Sequence, residues 1–296
     1  MIVGNTELDI KGVKFNSASI TSKEAIQKAG LNWSVETVQY YLNNEPANGK
    51  FANCRSDTKE CLGDVSARYK IYQNKYFFTL MDNIKSKFNN SSIDSAGMLF
   101  NGEETWMKLK VGTSNIFDDT IIHYFFMMNS FTGKTSCLYG ITSMINNYVI
   151  TLNTKQSRVW SFKHTGDKDR EEESNESVTN INNYMESMNK TANRMYEEKI
   201  DARAILKKIF AIAKTDSDRI AGNTQWKIET VMNLYNTDTS IFNYKDTAWG
   251  LYLAIAKWKT ESDALRKTET YNDNKFREQL IGIPELEKLQ KLTIGY

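Results

Sequence analysis

The spacing of apolar residues changes character near residue 166. Before it, short alternating or continuous apolar segments separated by Asn, Gly and Asp predict strands. After it, apolar positions recur every three to four residues and predict helices. Thr21-Ser22-Lys23-Glu24 has capping-box spacing and Gly30 supplies a stop, which predicts a helix over Ser22–Ala29. Val35, Thr37, Gln39 and Tyr41 alternate with Glu36, Val38, Tyr40 and Leu42 and predict a strand. The turn-like Asn43-Asn44-Glu45-Pro46 ends it, Asn48-Gly49 closes the connection, and Lys50–Arg55 pairs back as a hairpin. Asn74 reads as an N-cap, after which Phe77, Phe78, Met81, Ile84 and Phe88 follow helical spacing, with Lys85 and Lys87 complementing the helix dipole.

Ile93–Phe100, Thr105–Val111 and Ile121–Met128 read as strands, the first two joined at the hairpin signal Asn101-Gly102. Lys134–Tyr139 and Arg158–His164 are further strands, and Ile141–Tyr148 is read as helix. Helical periodicity starts at the charged run after Asp167 and continues through Met185, Met188, Met195 and Tyr196. Helices then follow over Ala202–Lys214, Asp218–Tyr235, Thr247–Lys267 and Glu285–Leu292, with Pro284 at the first position of the last. The expected class is α+β. A mainly antiparallel sheet with helices packed on it occupies residues 1–166, and a helical region, 167–296, packs on that core.

Composition sharpens this. A hydrophobic content of 40% with 12% aromatics supplies a core and excludes a disordered chain. With 2 prolines and roughly one asparagine in ten residues, the turns must rely on Asn and Gly. The formal charge of +2 excludes a histone-like binder. It is unevenly placed, because residues 1–166 hold 18 basic and 14 acidic side chains and residues 167–296 hold 20 and 22. The longest apolar run, Ile121–Met128, contains His123 and is too short to span a bilayer. Met1-Ile-Val-Gly-Asn lacks the regions of a signal peptide, and Cys54, Cys61 and Cys137 make no disulfide framework. A protein of the reducing cytosol with free thiols is expected.

Several constellations suggest chemistry and fall short. Gly133-Lys134-Thr135 resembles the end of a phosphate-binding loop, but Met128 stands where the first glycine belongs, so a turn between strands is expected. No C-x-x-C pair pre-organises thiolates for zinc, and neither His123 nor His164 sits in a ligand or hydrolase motif. The adjacent acids Asp118-Asp119 and Glu103-Glu104 point to opposite faces of a strand, which leaves metal-dependent nuclease chemistry a third-ranked reading. No cofactor and no metal are implied.

Basic residues interleaved with aromatics are the stronger signal. Arg68, Lys70, Tyr72 and Lys75 form one such run, and Arg158, Trp160, Lys163 and His164 form another. Lys108 and Lys110 add cations on a strand between them. Lysine and arginine suit phosphates, and aromatic faces suit unstacked bases. The same pattern also describes half-buried strands whose basic stems snorkel to water.

Several segments, in order, resemble the phage/plasmid-like family described as domain of unknown function family 932. They are Lys28-Ala-Gly-Leu-Asn-Trp33-Ser-Val, Arg55-Ser-Asp57, Leu62-Gly63-Asp-Val65, Arg68-Tyr69-Lys70 and Gln73-Asn74. Ala96-Gly97 through Asn101-Gly102, then Trp106 and Lys108, Phe162-Lys-His164-Thr165-Gly166, and Asp246-Thr-Ala-Trp249-Gly-Leu-Tyr252-Leu-Ala254-Ile complete the set. The resemblance covers roughly residues 25 to 260. Two departures stand out: Leu138-Tyr139-Gly140-Ile141 replaces an Asn-Thr pattern after the retained Cys137, and Leu253 replaces an Asn.

The resemblance implies carriage on phages and plasmids, beside replication or recombination genes, and by analogy single-strand annealing in a ring. The leading expectation is therefore a non-catalytic, cytoplasmic, homo-oligomeric protein that binds or anneals single-stranded DNA. Arg68, Lys70, Lys75, Lys108, Lys110, Arg158, Lys163 and His164 would meet DNA, with Tyr72 and Trp160 as stacking platforms. The rival is a phage protein-interaction module that modulates a host protein.

Overall fold

The computed structural model describes residues 12–17, 19–162, 170–210, 222–264 and 267–296. Strand β1 (Gly12–Lys14) is followed by helix α1 (Ser22–Lys28), whose capping box forms as the sequence predicts, with Thr21 and Glu24 exchanging side-chain and backbone hydrogen bonds. A three-stranded sheet follows: β2 (Val35–Leu42), β3 (Glu45–Arg55) and β4 (Cys61–Ser66), in the order β2-β3-β4. Helices α2 (Asn74–Phe77) and α3 (Thr79–Lys85) lead into β5 (Ser92–Leu99), β6 (Glu104–Ile116), β7 (Asp119–Ser130), β8 (Cys137–Ile145), β9 (Tyr148–Ile150) and β10 (Val159–Phe162). The larger sheet runs β1-β5-β6-β7-β8-β10, with β9 also on β8, and all its pairings are antiparallel.

The remaining helices are α4 (Arg170–Glu197), α5 (Ala202–Phe210), α6 (Gly222–Thr237), α7 (Ala248–Glu261), α8 (Tyr271–Ile281) and α9 (Pro284–Thr293). The α+β expectation holds, with antiparallel sheet in the first half and helices in the second. Among the described residues no helix is long and apolar enough to cross a membrane.

Alternation along the strands gives the large sheet two different faces. Met107, Leu109, Phe125, Met127 and Ile141 point into one core with Leu80 and Met81 of α3, Tyr184 and Met188 of α4, and Leu251 and Ile255 of α7. Trp106, Phe126 and Met128 point the other way, where Phe276 and Leu280 of α8 cover them. The Trp106 and Phe276 rings lie 4.5 Å apart. The first face is the helical face and the second the α8 face.

Four expectations need correction. Ile141–Tyr148 is not a helix: it is the end of β8, the turn Asn146-Asn147 and the start of β9. Both asparagines have positive φ, 47° and 68°, as a tight hairpin turn demands. β8 is buried on both faces, so its apolar run carries no clear period. The first hairpin turns at Asn43-Asn44, φ 52° and 67°, so Pro46 lies within β3 opposite Tyr41. It is tolerated because β4 pairs only with Lys50–Cys54, which leaves β3 an edge at Pro46. Asn74 is not an N-cap. Gln73 holds that position, and the buried Asn74 amide donates to Leu31 O (3.2 Å) while its carbonyl oxygen accepts from Thr105 Oγ1 (2.7 Å). Finally, α8 was not expected as a helix, and α7 stops at Glu261 rather than Lys267.

Candidate nucleic-acid interface

The segment between β4 and α2 is pinned by buried polar contacts. Tyr69 donates its hydroxyl to Ser130 O at 2.7 Å, and burial pushes that phenol well above its usual pKa. Gln73 makes a two-way bond with the Val35 backbone, accepting its N–H at 2.9 Å and donating to its carbonyl at 2.8 Å. Asn129 on β7 donates to Tyr72 O at 2.7 Å. These anchors fix the backbone and leave Arg68, Lys70 and Lys75 exposed. Tyr72 is half-buried and stacks on Tyr76, with ring centroids 6.5 Å apart and planes 9° from parallel. Tyr76 is 54% exposed, and the three cations are its near neighbours in sequence.

The same Asn129 connects this segment to the edge strand. Cys137 donates its Sγ–H to Asn129 Oδ1 at 3.1 Å, and Cys137 is paired with Phe162 in β10. Trp160 is opposite Tyr139, their rings 5.8 Å apart and 26° from parallel. Tyr72 and Trp160 thus belong to the same end and the same helical face of the sheet. Trp160 is half-buried against the core. Lys163 and His164 lie outside the described residues.

Three expected contacts are not part of this surface. Arg158 is 5% exposed and precedes β10, and its guanidinium is spent on the carbonyls of Ile141, Leu280 and Ile281. It is a structural cation, not an exposed phosphate ligand. Lys108 and Lys110 stand on the α8 face, because they share a side of β6 with Trp106. Lys108 is 7% exposed, with its Nζ 3.4 Å from Asp94 and 4.7 Å from the Tyr124 ring centroid. Burial lowers its pKa, and the Asp94 carboxylate acts against that.

Other motifs resolve locally. Gly133-Lys134-Thr135 is a turn between β7 and β8, with Gly133 at φ 71°. Thr135 Oγ1 donates to Ser130 Oγ at 2.5 Å. Glu104 is buried in an ion pair with Arg277 at 2.9 Å, and Asp119 accepts from Tyr244 OH at 2.9 Å, so both carboxylates have structural partners. Pattern reading also missed the approach of Cys54 and Cys61, whose sulfurs are 3.4 Å apart across β3 and β4. Burial and the neighbouring thiol push Cys54 up to about 11. Nor did it find Lys14, Asp94 and Tyr124, which converge with Lys108 only through strand register.

No curated protein and no solved structure matches the chain. The pattern of one family matches residues 61–280, which begins after Lys28–Val35 and reaches past residue 260 to the end of α8. That match covers well over half of the 296 residues, and the chain belongs to the family described as a domain of unknown function (DUF932).

Proposed function

We propose that the protein binds single-stranded DNA without catalysis, along the strip from Arg68 to Tyr76. The observation that carries this is the stacked Tyr72–Tyr76 pair flanked by exposed Arg68, Lys70 and Lys75. A solvent-facing tyrosine gives a base a sequence-tolerant platform, and cations at its sides take the phosphates. Trp160, at the same end of the sheet and half-buried on Tyr139, would be a second aromatic contact. Family membership alone supplies no activity. The wider reading is annealing by a homo-oligomer in the cytoplasm of a phage-infected or plasmid-bearing cell, in recombination or replication.

Fluorescence anisotropy with an oligothymidylate at 50 and 200 mM salt tests it. Binding is expected to weaken steeply with salt, as counterion release requires. Tyr76→Ala is expected to cost about 1–3 kcal/mol. Lys75→Ala is expected to lower the salt slope by about 1. Binding that ignores salt, or no binding at low ionic strength, overturns the reading. Light scattering with and without the oligonucleotide tests the oligomer.

One observation favours a second reading, an interaction module for a host protein. The β2–β3 hairpin displays Val38, 47% exposed, and Tyr41, 63% exposed. A stable monomer indifferent to DNA, with a partner captured by the wild type and lost in Tyr41→Ser, selects it.

A further inference from the structure

Helix α8 covers only part of its face of the large sheet. Beyond it lies a groove of about 400 Å³ whose lining includes Lys14, Asp94, Lys108, Tyr124, Met144 and Asn146. Strand register builds it. Lys14 is opposite Ser95, and Ser95 is opposite Lys108, so both lysines rise from one face two strands apart. That spacing is roughly 10 Å at the backbone, within reach of two lysine stems converging on one group.

Lys108 is the buried member of the pair. Among the described residues its charged partner is Asp94, at 3.4 Å, and its other contact is the face of Tyr124. An ammonium has three hydrogens to donate, so one carboxylate and one ring leave donor capacity directed into the groove it lines. Lys14 is exposed at the groove's mouth. Two ammoniums and one carboxylate leave a net positive charge there. The remaining wall is of two kinds. Ile122 and Met144 are apolar, and the Asn146 side chain, at the tight β8–β9 turn, donates through its amide to Asp119 Oδ1 at 3.1 Å and carries a carbonyl acceptor.

We infer that this groove binds a mononucleotide, with its phosphate between Lys14 and Lys108 and its base against Ile122 and Met144. A bare phosphate would fill only a small part of the space and leave the apolar wall unused. The Asn146 carbonyl oxygen can accept from a donor on a base edge, and Asp94, whose Oδ2 already accepts from Ser95 Oγ at 2.8 Å, has a second carboxylate oxygen to accept from a sugar hydroxyl. The groove and the tyrosine strip lie on opposite faces of the sheet, so this inference stands independently of single-strand binding.

Isothermal titration of the full chain at low ionic strength, with 5′-AMP, 5′-dTMP and inorganic phosphate as separate probes, tests it. At least one mononucleotide is expected to bind saturably and more tightly than phosphate. Lys14→Ala, at an exposed site that leaves the core intact, is expected to weaken that binding about tenfold or more through the lost charge-assisted bond. Lys108→Met, which keeps the buried stem, is expected to do the same. Arg68→Ala, on the other face, is expected to leave it unchanged while weakening oligonucleotide binding. No saturable binding of either mononucleotide overturns the inference. So does affinity that Lys14→Ala leaves intact, or phosphate binding as tightly as the mononucleotides.

Discussion

Arg158 donates through its guanidinium to Leu280 O at 2.7 Å, tying the start of β10 to the last turn of α8. The same group donates to Ile141 O at 2.6 Å and to Ile281 O. A helix leaves its last carbonyls without intrahelical partners, and a cation there also meets the negative end of the dipole. Arg158 supplies both, and so holds α8 over Trp106 and Phe126. Arg158→Met keeps the stem and removes the donors. It is expected to destabilise the fold by about 3 kcal/mol or more, read as a lower urea midpoint at unchanged slope. Arg158→Lys keeps the charge but loses the fork, and should fall between the two. Oligonucleotide affinity per folded molecule should not change in either variant. A large affinity loss with normal stability would return Arg158 to the list of DNA contacts.

His123 makes stability depend on pH. Its imidazole is buried between Ser114 Oγ, 2.7 Å from Nε2, and Ser143 Oγ, 2.9 Å from Nδ1. Burial disfavours the imidazolium and lowers the pKa from 6.5 to about 4. The folded chain therefore binds fewer protons at this site than the unfolded chain. The contribution is complete above about 6.5 and is lost as pH falls from there toward about 4. At about 1.4 kcal/mol per pH unit, roughly 2 kcal/mol should be gone by about pH 5. Urea midpoints at pH 7.5, 6 and 5 for the wild type and His123→Gln measure it. The wild type should lose more across this window, and parallel curves would show that His123 is not the source.

These residues also mark what local pattern discloses. The α1 start was legible because Thr21 and Glu24 satisfy each other within one turn. The start of α9 was legible because proline at a helix's first position needs no partner. β8 was misread because burial on both faces erases alternation, although Asn146-Asn147 repeats the turn signal of Asn43-Asn44. α8 was missed because its buried set, Asp273, Phe276, Gln279 and Leu280, has as many polar as apolar members. The same limit divides the candidate sites. Arg68, Lys70, Tyr72 and Lys75 are neighbours in sequence, so their shared surface could be read directly. Arg158 looked like a surface cation because its partner Leu280 lies 122 residues away. Lys14 and Lys108 meet only once β1, β5 and β6 are in register.

Gly250 provides the last test, because it separates helix propensity from close packing. In α7 its N–H donates to the N-cap Thr247 Oγ1 at 3.1 Å, and Thr247 donates in turn to Tyr244 O at 2.6 Å. The 242–244 turn is thereby folded back on the first turn of the helix. A Cβ on Gly250 would stand 2.2 Å from Tyr244 O and 3.3 Å from the Tyr235 ring. The first of these is backbone and has no rotamer by which to escape. Alanine favours a helix interior over glycine by about 1 kcal/mol, but the clash acts in the opposite sense and costs about 1–3 kcal/mol. Gly250→Ala should therefore destabilise. Gly222, at the start of α6, has nothing within 4 Å of its Cβ position, so Gly222→Ala should be neutral or stabilising by a few tenths to about 1 kcal/mol. Urea denaturation of the two variants side by side gives opposite signs if the approach of Tyr244 is what demands glycine in the Trp249-Gly250-Leu251 stretch. If Gly250→Ala gains stability as Gly222→Ala does, the turn and the helix are looser than this packing requires.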